Sequence, residues 1–253
     1  MNTFLSKTKI LRKWCELRNL LTIFLFNTNV SVVALILARG GSKGIPKKNL
    51  VRLNGISLLG RTLKTLHEAE LFSEIWVSTE DFEIKKEAKK YGALVHDRPN
   101  WLAQDFSSSL DGVKDFASTH PDFEKIALFQ CTSVFLTVGY IRAAFDMFKT
   151  TECVFSATRS YKLRWSINKE GRSIAMNFDP GNRPRRQDWN GELVENGMFY
   201  FANRELIQNN LLQSDRCGIV EVSACDSLEI DTISDLGLAK CLLEKRQHES
   251  FYL

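Results

Sequence analysis

The chain has no C-x-x-C pair, and its six cysteines and four histidines show no spacing that would hold zinc. Nor does it carry the one-signed charge that a nucleic-acid surface needs. Residues 1–28 contain five basic side chains (Lys7, Lys9, Arg12, Lys13, Arg18) against Glu16, leaving 29 basic and 29 acidic residues in the other 225. The surplus is confined to the N-terminus, so no RNA or DNA partner is expected. Internal repeats and low-complexity tracts are absent. No apolar run approaches the roughly 20 residues a membrane-crossing helix needs. The apolar stretch Leu20–Phe26 follows basic residues and precedes Asn27-Thr28-Asn29, which suits a short targeting segment without an A-x-A-like cleavage site. Residues 1–29 are therefore expected to target or anchor the chain at a membrane, the plainer alternative being an apolar helix packed on the domain. Asn29-Val30-Ser31 is a glycosylation sequon. The cysteines are expected to be buried free thiols, with a Cys217–Cys225 disulfide open to an oxidising compartment.

From residue 30 to 253 the sequence reads as one α/β domain. Apolar, β-rich runs (Val30–Ala38, Glu74–Thr79, Ala93–Asp97, Lys125–Gln130, Cys153–Thr158, Gly197–Ala202, Gly218–Ser223) alternate with helical patterns (Ser57–Glu70, Asp81–Tyr91, Ser109–Ser118, Thr137–Thr150). A short helix after Asn203 and a final one from about Ser234 complete the series. Such order predicts a mostly parallel sheet with helices on both faces. Between about residues 161 and 196 the rhythm breaks into an Arg-, Asn-, Gly- and Pro-rich excursion that carries Trp165, Phe178 and Trp189.

The strongest chemical signal follows the first strand: Ala38-Arg39-Gly40-Gly41-Ser42-Lys43-Gly44-Ile45-Pro46-Lys47-Lys48-Asn49. Glycines there are expected to permit φ > 0 and turn N–H groups toward a polyphosphate, with Arg39, Lys43 and Lys48 neutralising its oxygens. A ligand in an open α/β sheet sits at the carboxyl ends of the strands, where this loop lies. The loop is neither a P-loop nor a dinucleotide G-x-G-x-x-G. A second signal is Ser227-Leu228-Glu229-Ile230-Asp231-Thr232. On a strand end, Glu229 and Asp231 would face one way and present two carboxylates to one Mg²⁺.

Residues 38–49 resemble the nucleotide-binding signature of the CMP-sugar synthetases, a cytidylyltransferase family with a Rossmann-like nucleotidyltransferase fold. The resemblance continues over roughly residues 31–240. The run from Arg183 to Phe201 (R-P-R-R-Q-D-W-N-G-E-L-V-E-N-G-M-F-Y-F) is similar to the animal-type CMP-sialic acid synthetases in particular. It implies that Arg39, Lys43 and Asn49 hold the CTP phosphates and ribose, and that Arg98, Ser107 and Ser109 recognise the cytidine. It further implies that Gln130, Arg164 and Tyr200 contact the sugar, that Arg185 reaches the site from the excursion across a dimer interface, and that Asp231 and Glu229 bind Mg²⁺. Two departures stand out. Glu229 occupies a place where the family has Asp, and Gln130-Cys131-Thr132-Ser133-Val134-Phe135-Leu136 replaces the Q-P-T-S-P-L-R of bacterial relatives.

The resemblance implies transfer of CMP from CTP to the anomeric hydroxyl of sialic acid, catalysed chiefly by Arg185, Lys43 and Asp231. The alternatives are another 3-deoxy keto-sugar acid as acceptor, or a catalytically silent nucleotide-binding scaffold. A homodimer or dimer of dimers, with the excursion serving dimerisation, and a Golgi location, with nuclear or cytoplasmic as the alternative, are further expectations.

Overall fold

A computed structural model describes residues 31–249, with side chains to residue 246. The expected targeting segment and Asn29 lie outside the described residues. β1 (Val32–Leu37) is a run of six apolar residues of which the first five are buried, as expected for a parallel strand covered on both faces. After the glycine loop come the short strands β2 (Arg52–Leu53) and β3 (Ile56–Ser57), joined at Asn54 (φ 51°) and Gly55 (φ 79°). Two successive positive φ angles on Asn-Gly make the tight hairpin turn that matches strand twist. Ser57 then caps α1 (Leu58–Ala69), its side chain accepting from the Gly60 N–H at 3.0 Å.

The order continues with β4 (Ile75–Thr79), α2 (Phe82–Lys90), β5 (Leu94–Asp97), α3 (Ser109–Thr119), β6 (Lys125–Phe129) and α4 (Val138–Met147). It then passes through β7 (Cys153–Ser160), the two-stranded hairpin of β8 (Trp165–Ile167) and β9 (Ser173–Ala175), and the long β10 (Glu192–Asn203). It closes with α5 (Arg204–Gln208), β11 (Gly218–Val222) and α6 (Ile233–Glu249). Seven strands form the main sheet in the order β11-β7-β10-β6-β1-β4-β5. All its neighbours pair in parallel except β10, which runs antiparallel to both β6 and β7. The mostly parallel α/β sheet expected from the pattern is therefore present.

Alternation along β1 sends Val32, Ala34 and Ile36 to one core layer with α1, α2, α4 and α6, and Val33 and Leu35 to the other with α3 and α5. Loops at the carboxyl end of β1 and after β6 are thereby brought together, because β1 and β6 are neighbours in register.

The cysteine expectation is corrected. Cys153, at the start of β7, is disulfide-bonded to Cys217, just before β11, and Cys225 is free and exposed. The parallel register that pairs Val154 with Gly218 sets the two preceding residues side by side. The strand end expected at Glu229–Asp231 is also absent: these residues lie in a loop between β11 and α6.

Candidate active site

The glycine loop works by close approach rather than by unusual torsions. None of Gly40, Gly41 and Gly44 has a positive φ; Lys47 does, at 50°. A Cβ added at Gly40 would lie 2.5 Å from an Asp81 carboxylate oxygen, and one at Gly44 would lie 2.5 Å from the Asp231 carbonyl oxygen. The loop is pinned through the Gly40 N–H, which donates to Glu80 Oε1 at 2.7 Å, and through the buried Asn49, whose amide donates to the Arg39 carbonyl at 3.1 Å.

A cavity of about 410 Å³ opens beside this loop. Arg39, Lys43, Lys48 and Asn49 line it together with Ser109 at the start of α3, Gln130 and Thr132 after β6, and Asp231 from the far end of the chain. The expected phosphate-binding cations and the expected metal-binding carboxylate thus share one cleft. Lys48 Nζ lies 2.8 Å from Asp231 Oδ1. Asp105 accepts from Arg39 at 2.5 Å and from Lys43 at 2.7 Å, and these hydrogen bonds hold its carboxyl below the usual range.

Glu229 is placed differently from Asp231. Its Oε1 accepts from the Thr132 hydroxyl at 2.9 Å, and burial raises its pKa. The intervening Ile230 is fully buried and its N–H donates to the Thr132 carbonyl at 3.0 Å, which straps the carboxylate loop to the loop after β6. Gly197 (φ 72°), in the stretch of β10 where the ladder shifts register between Glu195 and Tyr200, closes the same corner. A Cβ there would lie 3.1 Å from Gln130 Nε2 and 3.7 Å from Glu229 Oε2. Bulges of this kind re-aim a strand beside a site.

Among the described residues no group of three or more His, Cys, Asp or Glu side chains could hold a metal ion. Asp231 lines the cleft and Glu229 does not, so Asp231 is the carboxylate there that could serve Mg²⁺, an ion that usually takes one or two carboxylates from the protein and its other oxygens from water and phosphates.

The other expected residues divide into three groups. Arg98 is buried behind the loop, with Nε lacking a hydrogen-bond partner, and Ser107 donates to the Trp101 carbonyl at 2.9 Å; neither lines the cavity. Tyr200 also lies outside the lining. Its hydroxyl donates to Glu195, and burial raises its pKa. Arg164 and Arg185 belong to the excursion, where each grips an acid in two-toothed fashion: Arg164 on Glu192 at 2.5 and 2.9 Å, Arg185 on Asp188 at 2.7 and 3.0 Å. Arg185 lines a separate cavity of about 680 Å³ with Arg183, Arg186, Tyr161 and Trp189, so a single chain does not bring it to the cleft. Asp105 escaped sequence reasoning. The loop cations were already assigned to a polyphosphate, and nothing in Gln104-Asp105-Phe106 marks a partner for them.

A family model for cytidylyltransferases matches residues 33–252. The chain is 41% identical over 214 residues to N-acylneuraminate cytidylyltransferase A of Danio rerio, covering 83% of this chain and 50% of that protein. It is 30% identical to the N-acylneuraminate cytidylyltransferase of Escherichia coli over 227 residues, 88% of this chain and 54% of that one. The chain therefore spans about half the length of the curated relatives it matches. Among solved structures, a CMP:2-keto-3-deoxy-manno-octonic acid synthetase complexed with CTP superposes with a TM-score of 0.66 at 16% identity, covering 85% of this chain and 99% of that one. At that identity the likeness is one of fold.

Proposed function

The chain belongs to the cytidylyltransferase family, and from that premise we propose that it transfers CMP from CTP to the anomeric hydroxyl of a sialic acid, releasing pyrophosphate. The observation that carries this reading is the one cleft in which Arg39, Lys43 and Lys48 meet Asp231, although Lys48 and Asp231 stand 183 positions apart. The 41% identity to an animal N-acylneuraminate cytidylyltransferase favours sialic acid over other keto-sugar acids.

The 2-hydroxyl attacks the α-phosphorus in line, and no covalent enzyme intermediate is required. Positioning and charge neutralisation do most of the work in such a transfer. Arg39 and Lys43 neutralise the departing pyrophosphate, and Asn49 fixes the Arg39 backbone. Ser109 meets the nucleoside, with Arg98 buried behind the loop, and Gln130 meets the sugar. Asp231, with Glu229 beside it, holds Mg²⁺, which when bound neutralises phosphate oxygens and lowers the pKa of a ligated hydroxyl. Glu229 is additionally held by Thr132.

The working unit in this reading is a homodimer in which the excursion of one subunit delivers Arg185, with Arg164 and Tyr200 on the sugar side. The exposed apolar side chains of the excursion support it: Trp165, Ile167, Ile174 and Met176 all stand in solvent in the single chain. The Cys153–Cys217 bond supports a location in the oxidising secretory pathway, with the Golgi the compartment proposed.

Pyrophosphate release from CTP with N-acetylneuraminate and Mg²⁺ tests the core of the proposal. Lys43→Ala and Asp231→Ala should each lower turnover by about 10²-fold or more, the usual scale for one charge-stabilising group. Undiminished turnover in both variants would falsify the assignment. A higher kcat/KM for a 3-deoxy-octulosonate than for N-acetylneuraminate would reassign the sugar. Mixing inactive Lys43→Ala and Arg185→Ala subunits should regenerate intact sites; if activity does not return, the shared-site dimer is wrong.

A further inference from the structure

We propose that Asp105 is a built-in competitor for the phosphates: its carboxylate holds Arg39 and Lys43 in the resting enzyme, yields them to the incoming triphosphate, and reclaims them as pyrophosphate leaves. The inference rests on the reading of the cleft as the CTP site.

Three observations carry it. The carboxylate accepts from both cations, Lys43 at 2.7 Å and Arg39 closer still, through the donors that a phosphate oxygen would use. Second, the contact is a partition. A further cavity of about 420 Å³ shares Arg39, Ser42, Lys43 and Asp105 with the 410 Å³ cleft, and on its far side lie Glu80, Asn100 and Gln104. Separating Asp105 from the cations joins the two spaces into one wider groove.

Third, Asp105 lies in the exposed stretch 104–106 between two anchored turns. Upstream, residues 100–102 form a single 3-10 turn, with Gln104 bonded back to the Asn100 carbonyl at 2.8 Å. Downstream, Ser108 and Asp111 lock the start of α3 in a reciprocal cap. Between these anchors Phe106 is 86% exposed, and Trp101 beside the upstream anchor is 67% exposed. Leu102 and Ala103 are buried and anchor the strap upstream, and Ser107 bonds back to Gln104 and Trp101, so a swing is confined to the exposed residues 104–106, where no apolar burial opposes it.

A carboxylate that competes in this way weakens binding of every anion that needs both cations. It therefore limits retention of pyrophosphate as well as affinity for CTP. A carboxylate that merely orients the cations has the opposite effect, because its removal loosens them. The two roles predict shifts of opposite sign.

The experiment is isothermal titration of CTP and of inorganic pyrophosphate, each with Mg²⁺, into wild type, Asp105→Asn, Asp105→Glu and Arg39→Ala, together with steady-state inhibition by pyrophosphate. Asp105→Asn should bind both anions roughly fivefold more tightly, the scale set by two partly exposed ion pairs, and pyrophosphate inhibition should strengthen by a similar factor. Asp105→Glu, which keeps the competing charge, should stay near wild type. Unchanged or weaker binding in Asp105→Asn while Arg39→Ala loses binding overturns the competitor role and leaves the phosphate site standing. Wild-type affinity in Arg39→Ala would remove the phosphate site itself, and the competitor with it.

Discussion

At Gly44 the backbone of the glycine loop approaches the backbone of the carboxylate loop, and replacing it by alanine isolates that approach. The new Cβ would start 2.5 Å from the Asp231 carbonyl oxygen, whereas ordinary contact begins near 3.4 Å, so the Asp231 backbone has to retreat by about 0.9 Å. Backbone strain does not contribute, because Gly44 has no positive φ. A displacement of about 1 Å in a reacting constellation costs on the order of 10²-fold in rate. Gly41→Ala is the matched control: it adds the same methyl to the same loop with nothing within 4 Å of it. Measured at saturating CTP and sialic acid, kcat should fall about 10²-fold in Gly44→Ala and stay near wild type in Gly41→Ala. Both should melt within a few degrees of the parent, since neither glycine contributes side-chain burial. Equal kcat values in the two variants would refute the idea that the loop's glycine spacing sets the position of Asp231.

Further outcomes follow from other contacts. Reduction of Cys153–Cys217, or Cys217→Ser, reopens a loop of 64 residues and should cost ~4 kcal/mol by chain entropy, a fall in Tm of about 10 °C for a domain of this size; a melt indifferent to reductant would show that the bond adds no stability. His96 is buried against Phe116, with Ser78, Thr119 and Asp115 at its ring nitrogens and His120, Asp97 and Arg98 nearby. Burial lowers its pKa below 6.5, so the unfolded chain binds the proton more readily. Its contribution is therefore complete above pH 6.5 and is lost as pH falls below that value, with a slope of at most ~1.4 kcal/mol per pH unit; His96→Gln should flatten this part of the denaturation-midpoint profile, and an unaltered profile would clear His96 of the effect. Gly197→Ala places a side chain at φ 72° and crowds Gln130. It should destabilise by ~1–2 kcal/mol and raise KM for the sugar more than for CTP, which steady-state kinetics with each substrate varied in turn would read.

The parts of this fold that sequence alone revealed are those in which one physical signal dominates. Six successive apolar residues in Val32–Leu37, short, rich in β-branched side chains and followed by glycines, read as a strand buried on both sides, and the cations and glycines behind it mark the mouth of the cleft. Strand direction is not written in side-chain period, so nothing in Gly197–Ala202 announced that β10 runs against both neighbours. Its extension back to Glu192 was hidden because Glu192-Leu193-Val194-Glu195-Asn196 mixes two apolar residues with three polar ones and is exposed or half-buried throughout. The Cys153–Cys217 pairing depends on two strands becoming neighbours across 64 positions, a fact of topology rather than spacing. The Asn54-Gly55 hairpin, by contrast, carried a readable turn signal that went unused. Glu229 and Asp231 share a loop rather than a strand end: Ile230 is buried between them and bonded to Thr132, and Asp231 lines the cleft whereas Glu229 does not.

The position of β10 has a consequence for how the protein comes off the ribosome. β5, β4, β1 and β6 can assemble as a parallel half-sheet once residue 129 has emerged, but β6 then offers one flank of unpaired peptide groups. That flank stays open until residues 199–203 of β10 arrive to zip against it, and only then can β7 and β11 be carried at the other side. Such a bare flank is the kind of edge on which chains stick to one another. For more than sixty residues of synthesis the nascent chain is thus at its most vulnerable to self-association, which makes β6 the strand to guard when the protein is expressed or truncated.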